Sequence, residues 1–228
     1  MHINHENLAL AIDHTLLKPE ATRAHITEVC AQAKQYNFKT VCINPFYVQH
    51  AYRKLSGSTT GVCTVIGFPF GATLSSIKAA EAAQAIRNGA SEIDFVINIG
   101  ALKDGDHKTV EADMFAVVKT VKEIDPKTVT KVILETCLLS RYEKIEACKL
   151  ALNASVDFVK TSTGFSAAGA KVEDIKLLKE ITGSDVGVKA SGGIKDLVTA
   201  LKMLEAGADR LGTSSGVEII REAMRNDR

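Results

Sequence analysis

The sequence predicts a closed (β/α)8 barrel, with residues 1–228 forming one domain. Three observations lead there. Short β-rich runs alternate with longer stretches of helical period. The joints from helix to strand repeat: "RNGASEIDFV", "ALNASVDFVK" and "EAGADRLGTS" each set a Gly or Asn at a helix C-cap, then a small residue, then a strand. The marks Asn37, Gly89, Asn153 and Gly207 each lie about two units apart, so one unit is roughly 28 residues long. Eight such units with short connections favour a closed barrel of the TIM type. An open doubly wound sheet is the alternative. A GxGxxG after the first strand would favour it, and the sequence has none.

The strand-like runs, in order, are "ALAIDH" (9–14), "TVCINP" (40–45), "VCTVIGF" (62–68), "EIDFVIN" (92–98), "VTKVILE" (129–135), "VDFVKTS" (156–162), "VGVKAS" (186–191) and "DRLGTS" (209–214). Helical segments are expected at about 20–35, 46–55, 75–88, 107–123, 141–152, 171–181, 195–205 and 215–225. In "SSIKAAEAAQAIRNGA", Ile77, Ala80, Ala83 and Ile86 recur at helical spacing. Lys78, Glu81 and Arg87 are then expected on the surface.

Composition narrows the function. With 46% hydrophobic and 24% charged residues, a chain of 228 can bury a sizeable core. The formal net charge of +1, with no block of like charges, argues against a nucleic-acid or acidic-membrane partner. No apolar run is long enough to span a bilayer. The stretch "MHINHENLALAIDH" has early polar and acidic residues and no basic region, unlike a secretory leader. Five cysteines without CxxC spacing suggest neither a disulfide framework nor a zinc site, and fit a reducing cytoplasm. Six scattered histidines show no HxxxH or HExxH, so no protein-bound metal is expected.

Strands covered on both faces should be nearly all apolar, and catalytic groups lie near their C-terminal ends. Ionisable residues in or after these runs are therefore informative. They are Asp13, Asp94, Glu135, Lys160 and Lys189. A lone lysine at a strand end ordinarily snorkels to solvent or pairs with an acid. Lys160 and Lys189, however, lie on consecutive strands, at the same point where the apolar run gives way to "KTSTG" and "KASGG". They should converge, and two close ammonium groups make at least one lose its proton more easily. A lysine near its usual value of about 10.4 is inert at neutral pH. A depressed one can form a Schiff base with a carbonyl substrate. Asp94 either shuttles protons there or pairs with a lysine. Glu135 has a bland reading, holding a lysine in place.

Small-residue turns follow strands six, seven and eight: "STG" (162–164), "SGG" (191–193) and "GTSSG" (212–216). The N–H groups of Gly192 and Gly193, with the hydroxyls of Ser214 and Ser215 opening the last helix, suit a phosphate. Ordinary helix capping is the competing reading. The turns are not a Walker loop, so a nucleoside triphosphate is not implied. Cys42 reads as a small core or pocket residue, since no histidine is placed to activate it. Phe68 in "GFPFG" could wall the pocket, and His14 fits a structural role as well as a catalytic one.

Taken together, "DHTLL", "VCINP", "EIDFVIN", "DFVKTSTG" and "GVKASGG", in that order, resemble the deoxyribose-phosphate aldolase family over nearly the whole chain. The resemblance implies a class I aldolase on a (β/α)8 barrel, usually dimeric, with no metal or organic cofactor. Its substrates would be a phosphorylated sugar and acetaldehyde, as in deoxyribonucleoside catabolism. It implies that Lys160 is the Schiff-base nucleophile, that Lys189 lowers its pKa, and that Asp94 assists the proton transfers. Gly164, Gly192, Gly193, Gly212, Ser214 and Ser215 would surround the substrate phosphate, with Thr163 nearby. Asp13, Thr15 and Cys42 would line the substrate site. There are two departures. Some members carry a lysine directly after "STG", where this chain has Phe165. Some end in a tail with a catalytic tyrosine, whereas the last tyrosine here is Tyr142 and the chain ends "REAMRNDR".

Overall fold

The computed structural model describes residues 4–226. The extreme ends of the two terminal stretches read above, 1–3 and 227–228, lie outside the described residues. Among the described residues, eight parallel strands close on themselves in chain order, each paired with its sequence neighbours and β8 with β1. They are β1 (Ile12–Leu16), β2 (Thr40–Ile43), β3 (Gly61–Ile66), β4 (Glu92–Val96), β5 (Val129–Ile133), β6 (Phe158–Lys160), β7 (Gly187–Ser191) and β8 (Arg210–Thr213). This is the predicted TIM barrel.

The helices are α1 (His5–Leu10), α2 (Arg23–Tyr36), α3 (Val48–Lys54), α4 (Ser75–Arg87), α5 (Ile99–Lys103), α6 (His107–Ile124), α7 (Arg141–Asn153), α8 (Val172–Thr182), α9 (Leu197–Glu205) and α10 (Gly216–Asn226). α1 and α5 were not anticipated. The run "ALAIDH" is divided: Ala9 and Leu10 finish α1, and β1 begins only at Ile12. The Asn4 side chain accepts the Asn7 N–H at 2.8 Å and caps α1, a start signal that competes with the strand reading.

α6 shows why the helical segments form. Val110, Met114, Val117, Val118 and Val121 are buried on one face, and Asp106 caps the helix through the Thr109 N–H at 3.0 Å. α4 corrects the sequence reading of its face. Ile77 is half exposed, while Lys78 is fully buried with Ala82 and Ala85, at spacings of four and three. Lys78 Nζ lies 2.6 Å from Asp113 on α6 and donates to the Val96 carbonyl at 2.8 Å. A run of alanines gives little signal about which face is inward, so a buried ion pair decided it. The joints also need adjustment. Asn37 is a left-handed C-cap as read, but Gly89 and Gly207 follow the caps Asn88 and Ala206. Asn153 ends α7, and the left-handed residue after it is Ser155.

The strands alternate with period two. Ile12, Val41, Val62, Ile93, Phe95, Val132, Val159, Val188 and Leu211 face outward into the core shared with the helices. The inward set is different. Cys42, Cys63 and Val65 pack with Leu17 on one side of the interior. Elsewhere the interior holds Asp13, Glu92, Asp94, Lys131, Lys160, Lys189 and Arg210, all buried. The expectation of nearly all-apolar strands therefore holds for one face only.

Candidate functional site

The hydrogen-bond ladder sets the two lysines side by side, for Lys160 and Lys189 are direct partners between β6 and β7. Lys160 Nζ donates to Asp94 Oδ2 at 2.8 Å, and Lys189 Nζ donates to the same oxygen at 2.7 Å. Asp94 Oδ1 accepts from Lys131 Nζ at 2.8 Å. Lys131 also lies 2.5 Å from Glu92 Oε2. Glu92 receives both terminal nitrogens of Arg210, at 3.3 and 3.1 Å. Arg210 reaches on to Asp13 Oδ1, and Asp13 Oδ2 is 2.5 Å from Lys189 Nζ. Six ions of alternating sign thus form a closed ring: Asp94, Lys131, Glu92, Arg210, Asp13 and Lys189. Lys160 is the seventh, attached to the ring through Asp94 alone among these groups.

The electrostatics follow from that ring. Burial opposes charge on Asp13, Asp94, Lys131, Lys189 and Arg210, yet the opposite charges prevail. Lys189 stays protonated, because Asp13 and Asp94 outweigh burial and raise it above the ordinary lysine value. Lys131 is raised likewise, chiefly by Asp94 once burial is overcome. Asp94 is held well below the usual carboxylate range by Lys131, Lys160 and Lys189, against burial. Asp13 is lowered by Lys189 and Arg210, also against burial. The sequence suggested two bare ammonium groups repelling each other. The structure instead places a shared carboxylate oxygen between them.

A cavity of about 330 Å³ opens above Lys160. Its walls include the predicted Thr15, Thr163, Gly164, Gly192, Gly193, Gly212 and Ser214. Asp94 and Lys189 lie beneath it, and three of the residues predicted to bind substrate do not line it. Asp13 is fully buried beneath, committed to Lys189 and Arg210. Cys42 is fully buried against Leu17 and Cys63. Ser215 is half-buried, and its N–H donates to Thr213 Oγ1 at 2.9 Å. Gly212 has a second role: a Cβ there would lie 2.9 Å from Ser191 Cβ and 3.1 Å from Lys189 Cε, so glycine keeps room for the lysine stem. Gly192 and Gly193 are both left-handed, which turns the chain sharply at the strand end.

The hydroxyl residues after Lys160 tie two loops together. Thr161 Oγ1 donates to the Ser191 carbonyl at 3.1 Å, and Ser191 Oγ donates to the Ser162 carbonyl at 2.7 Å. Glu135 holds this loop rather than a lysine: its carboxylate accepts from Thr163 Oγ1 and, at 3.3 Å, from the Thr163 N–H. Phe165, half exposed, meets Phe68 edge to face at 5.4 Å and so brings Phe68 beside the cavity wall. His14 points the other way, and its Nε2 is 2.7 Å from Gln32 Oε1 on α2. Cys42, Cys63 and Asp94 lie close enough together to offer ligands to a metal ion. The three ammonium groups on Asp94 oppose a cation at that point.

Sequence reasoning missed Lys131, Glu92 and Arg210, and the cavity-lining Lys18 and Lys195. The first three had a signal. Glu92 stands two before Asp94, and Arg210 stands two before Gly212, each on the inward phase of its strand. Lys131 stands on the inward phase of β5 in the same way.

A protein-family model described as "DeoC/LacD family aldolase" matches residues 7–223. A deoxyribose-phosphate aldolase of Brevibacillus brevis is 54% identical, over 95% of this chain and 96% of that protein. One from Carboxydothermus hydrogenoformans is 54% identical, over 96% of each. Among solved structures, a putative deoxyribose-phosphate aldolase from Coccidioides immitis superposes with a TM-score of 0.93 at 42% identity, covering 97% of this chain and 87% of that one.

Proposed function

Because the chain belongs to the DeoC/LacD aldolase family, we propose that it reversibly cleaves 2-deoxy-D-ribose 5-phosphate to D-glyceraldehyde 3-phosphate and acetaldehyde, through a Schiff base on Lys160. The observation that carries the assignment to Lys160 is its place as the odd member of the charge cluster. The ring balances three carboxylates against three cations without it. Of the lysines inside the barrel, Lys160 alone lines the cavity, so its amine is the one of that cluster that can meet a substrate carbonyl.

The chemistry runs as follows. Lys160 Nζ, as a free amine, adds to C1 of the open-chain sugar, and the carbinolamine loses water to give an iminium. Lys189 holds a proton beside that oxygen, and Asp94 takes up and returns protons between the two lysines. The Asp94–Lys189 pair, having given a proton to the departing water, takes the proton of the C3 hydroxyl; the C3 carbonyl forms, and the C2–C3 pair of electrons flows into the iminium. The bond broken is C2–C3, not C3–C4, since only the carbon next to the iminium can carry those electrons. Glyceraldehyde 3-phosphate leaves. The enamine is protonated at C2, and hydrolysis frees acetaldehyde and the amine.

For the substrate phosphate we assign the turn of Gly192 and Gly193, with Gly164, Ser214 and the N-terminal end of α10 near Ser215. Lys195 and Lys18, both exposed at the cavity rim, supply the cations. Residues 1–228 would act as one barrel domain. A homodimer fits the exposed apolar side chains of Phe70, Leu74 and Ile77, and five free cysteines fit a reducing cytoplasm. No helix among the described residues is long and apolar enough to cross a membrane.

The test is borohydride reduction in the presence of substrate or acetaldehyde, followed by peptide mass mapping. A stable adduct on Lys160 is expected. An intact enzyme with no adduct there points instead to a barrel enzyme whose lysines only bind charge. Substrate binding without turnover points to a sensor.

A further inference from the structure

We propose that Glu92 and Arg210, at the base of the barrel interior, are positioning residues that set the pH range in which Lys160 works. The proposal rests on the aldolase reading above and deepens it. Neither residue lines the cavity, and both are buried. Both are still part of the closed ring. Arg210 spans Glu92 and Asp13, while Glu92 spans Arg210 and Lys131.

Every strand contributes to the surroundings of Lys160. Asp13 comes from β1, Cys42 from β2 and Cys63 from β3. β4 supplies Glu92 and Asp94, β5 Lys131, β7 Lys189 and β8 Arg210. Cys63 donates to Asp94 Oδ1 at 3.1 Å and stays a thiol, since burial raises it well above the ordinary value. Cys42 is lowered, chiefly by its hydrogen bond with Cys63. With both sulfurs as thiols, the fixed charges beneath Lys160 are those of the ring and sum to zero; Lys18 and Lys195 line the cavity above it and are the same in every variant.

A neutral ring makes Lys160 the site where one proton more or less decides the net charge of the interior. A charge deleted at the base changes that balance without touching the substrate or the reacting nitrogen. In a buried network, one unit charge a few residues away shifts a titration by on the order of one pH unit. The sign depends on which partner is removed. Glu92→Gln leaves the interior with excess positive charge, so Lys160 should shed its proton at lower pH. Arg210→Met leaves excess negative charge, so Lys160 should keep its proton to higher pH. The double variant has two anions against two cations and should return near the starting point.

The experiment measures the acid limb of the kcat/KM profile, and borohydride trapping on Lys160 across the same pH range, in the full-length enzyme. The expected result is a limb about one pH unit lower in Glu92→Gln and about one unit higher in Arg210→Met, with the double variant within a few tenths of wild type. Arg210→Lys keeps the charge but loses the fork, so it should lower kcat and leave the limb in place. A packing role alone would lower kcat in all variants and move no limb. Limbs that stay fixed, both move the same way, or fail to cancel in the double variant overturn the proposal. If one of the two single variants does not fold, the other decides the point by the direction of its limb: lower in Glu92→Gln or higher in Arg210→Met supports the proposal, and a fixed or opposite limb overturns it. Absence of any adduct on wild-type Lys160 sinks the aldolase reading, whereas a normal adduct with an unmoved limb sinks only this inference.

Discussion

Lys160 and Lys189 share one oxygen, Asp94 Oδ2, at 2.8 and 2.7 Å. That relationship separates two lysines which look alike in sequence. Lys189 has a second carboxylate, Asp13 at 2.5 Å, and is fixed as an ammonium. Lys160 has Asp94 alone among these acids, and it faces the cavity. The neighbours of the two strand ends, rather than simple repulsion between two cations, divide the roles of nucleophile and fixed charge.

The two lysines should therefore respond oppositely to removal. Lys160→Met leaves the neutral ring intact, so the urea midpoint should stay close to wild type while retro-aldol activity disappears. Lys189→Met strips a cation from both Asp13 and Asp94, and breaking such a buried pair costs about 3–5 kcal/mol. Urea denaturation of the two variants side by side checks this. Equal destabilisation would show that Lys160 is a structural member of the ring.

Stability should be lost on the acid side by a defined route. Asp13 and Asp94 sit below the carboxylate range in the folded chain. In the unfolded chain they titrate near 3.9, so the unfolded state binds protons first as pH falls. Their contribution is complete above about pH 5 and declines as pH drops towards their folded values. Lys131 and Lys189 are raised, so their contribution is complete below about pH 10 and is lost only above it. Urea midpoints should thus be flat, as far as these groups are concerned, between pH 6 and 9 and fall between pH 5 and 3. Asp94→Asn should show a shallower fall over the acid interval.

The fold was legible because period and punctuation agree. Eight apolar runs alternated with helical stretches, and the two lysines fell at matching strand ends. Both patterns are local, so the sequence displays them. The ring was not legible as a ring. Arg210 and Glu92 are 118 residues apart in the chain, and closure of the barrel brings them together. The prior that buried strands are apolar also hid Glu92, Lys131 and Arg210, although each stands on the inward phase. α4 failed for a different reason: alanines on several faces left the buried Lys78–Asp113 pair to choose the orientation.

Specificity for the phosphate should depend on the cavity rim. Lys195 follows the Gly192–Gly193 turn and lines the cavity. Lys195→Ala should raise KM for the phosphorylated sugar several-fold and leave kcat, and KM for unphosphorylated deoxyribose, nearly unchanged. Phe165→Lys should do the reverse, favouring the phosphorylated substrate, because it adds a cation beside Gly164 and removes only a half-exposed ring contact with Phe68. Steady-state kinetics on both sugars decide the point. Identical changes for the two substrates would place the phosphate elsewhere.

Gly212 tests whether space around Lys189 matters as much as its charge. β8 passes so close to β7 that a methyl at position 212 would sit 2.9 Å from Ser191 Cβ and 3.1 Å from Lys189 Cε. The first contact is closer than packed carbon atoms tolerate and the second is tight, and overpacking of this kind costs about 1–3 kcal/mol. Ser191 is anchored through the Ser162 carbonyl and Thr161, so the closer contact can be relieved only by β8 and β7 moving apart, and the flexible lysine stem must shift with them. Movement of Lys189 would lengthen its contacts with Asp13 and Asp94 and leave Asp94 bound more by Lys160. Gly212→Ala should therefore reduce kcat at least ten-fold, while KM rises less. The same substitution at Gly183, exposed at the end of α8 with open space at its Cβ, should affect backbone strain and stability alone. If Gly212→Ala raises only KM, the glycine serves the substrate pocket and the proposed spacing role for Lys189 fails.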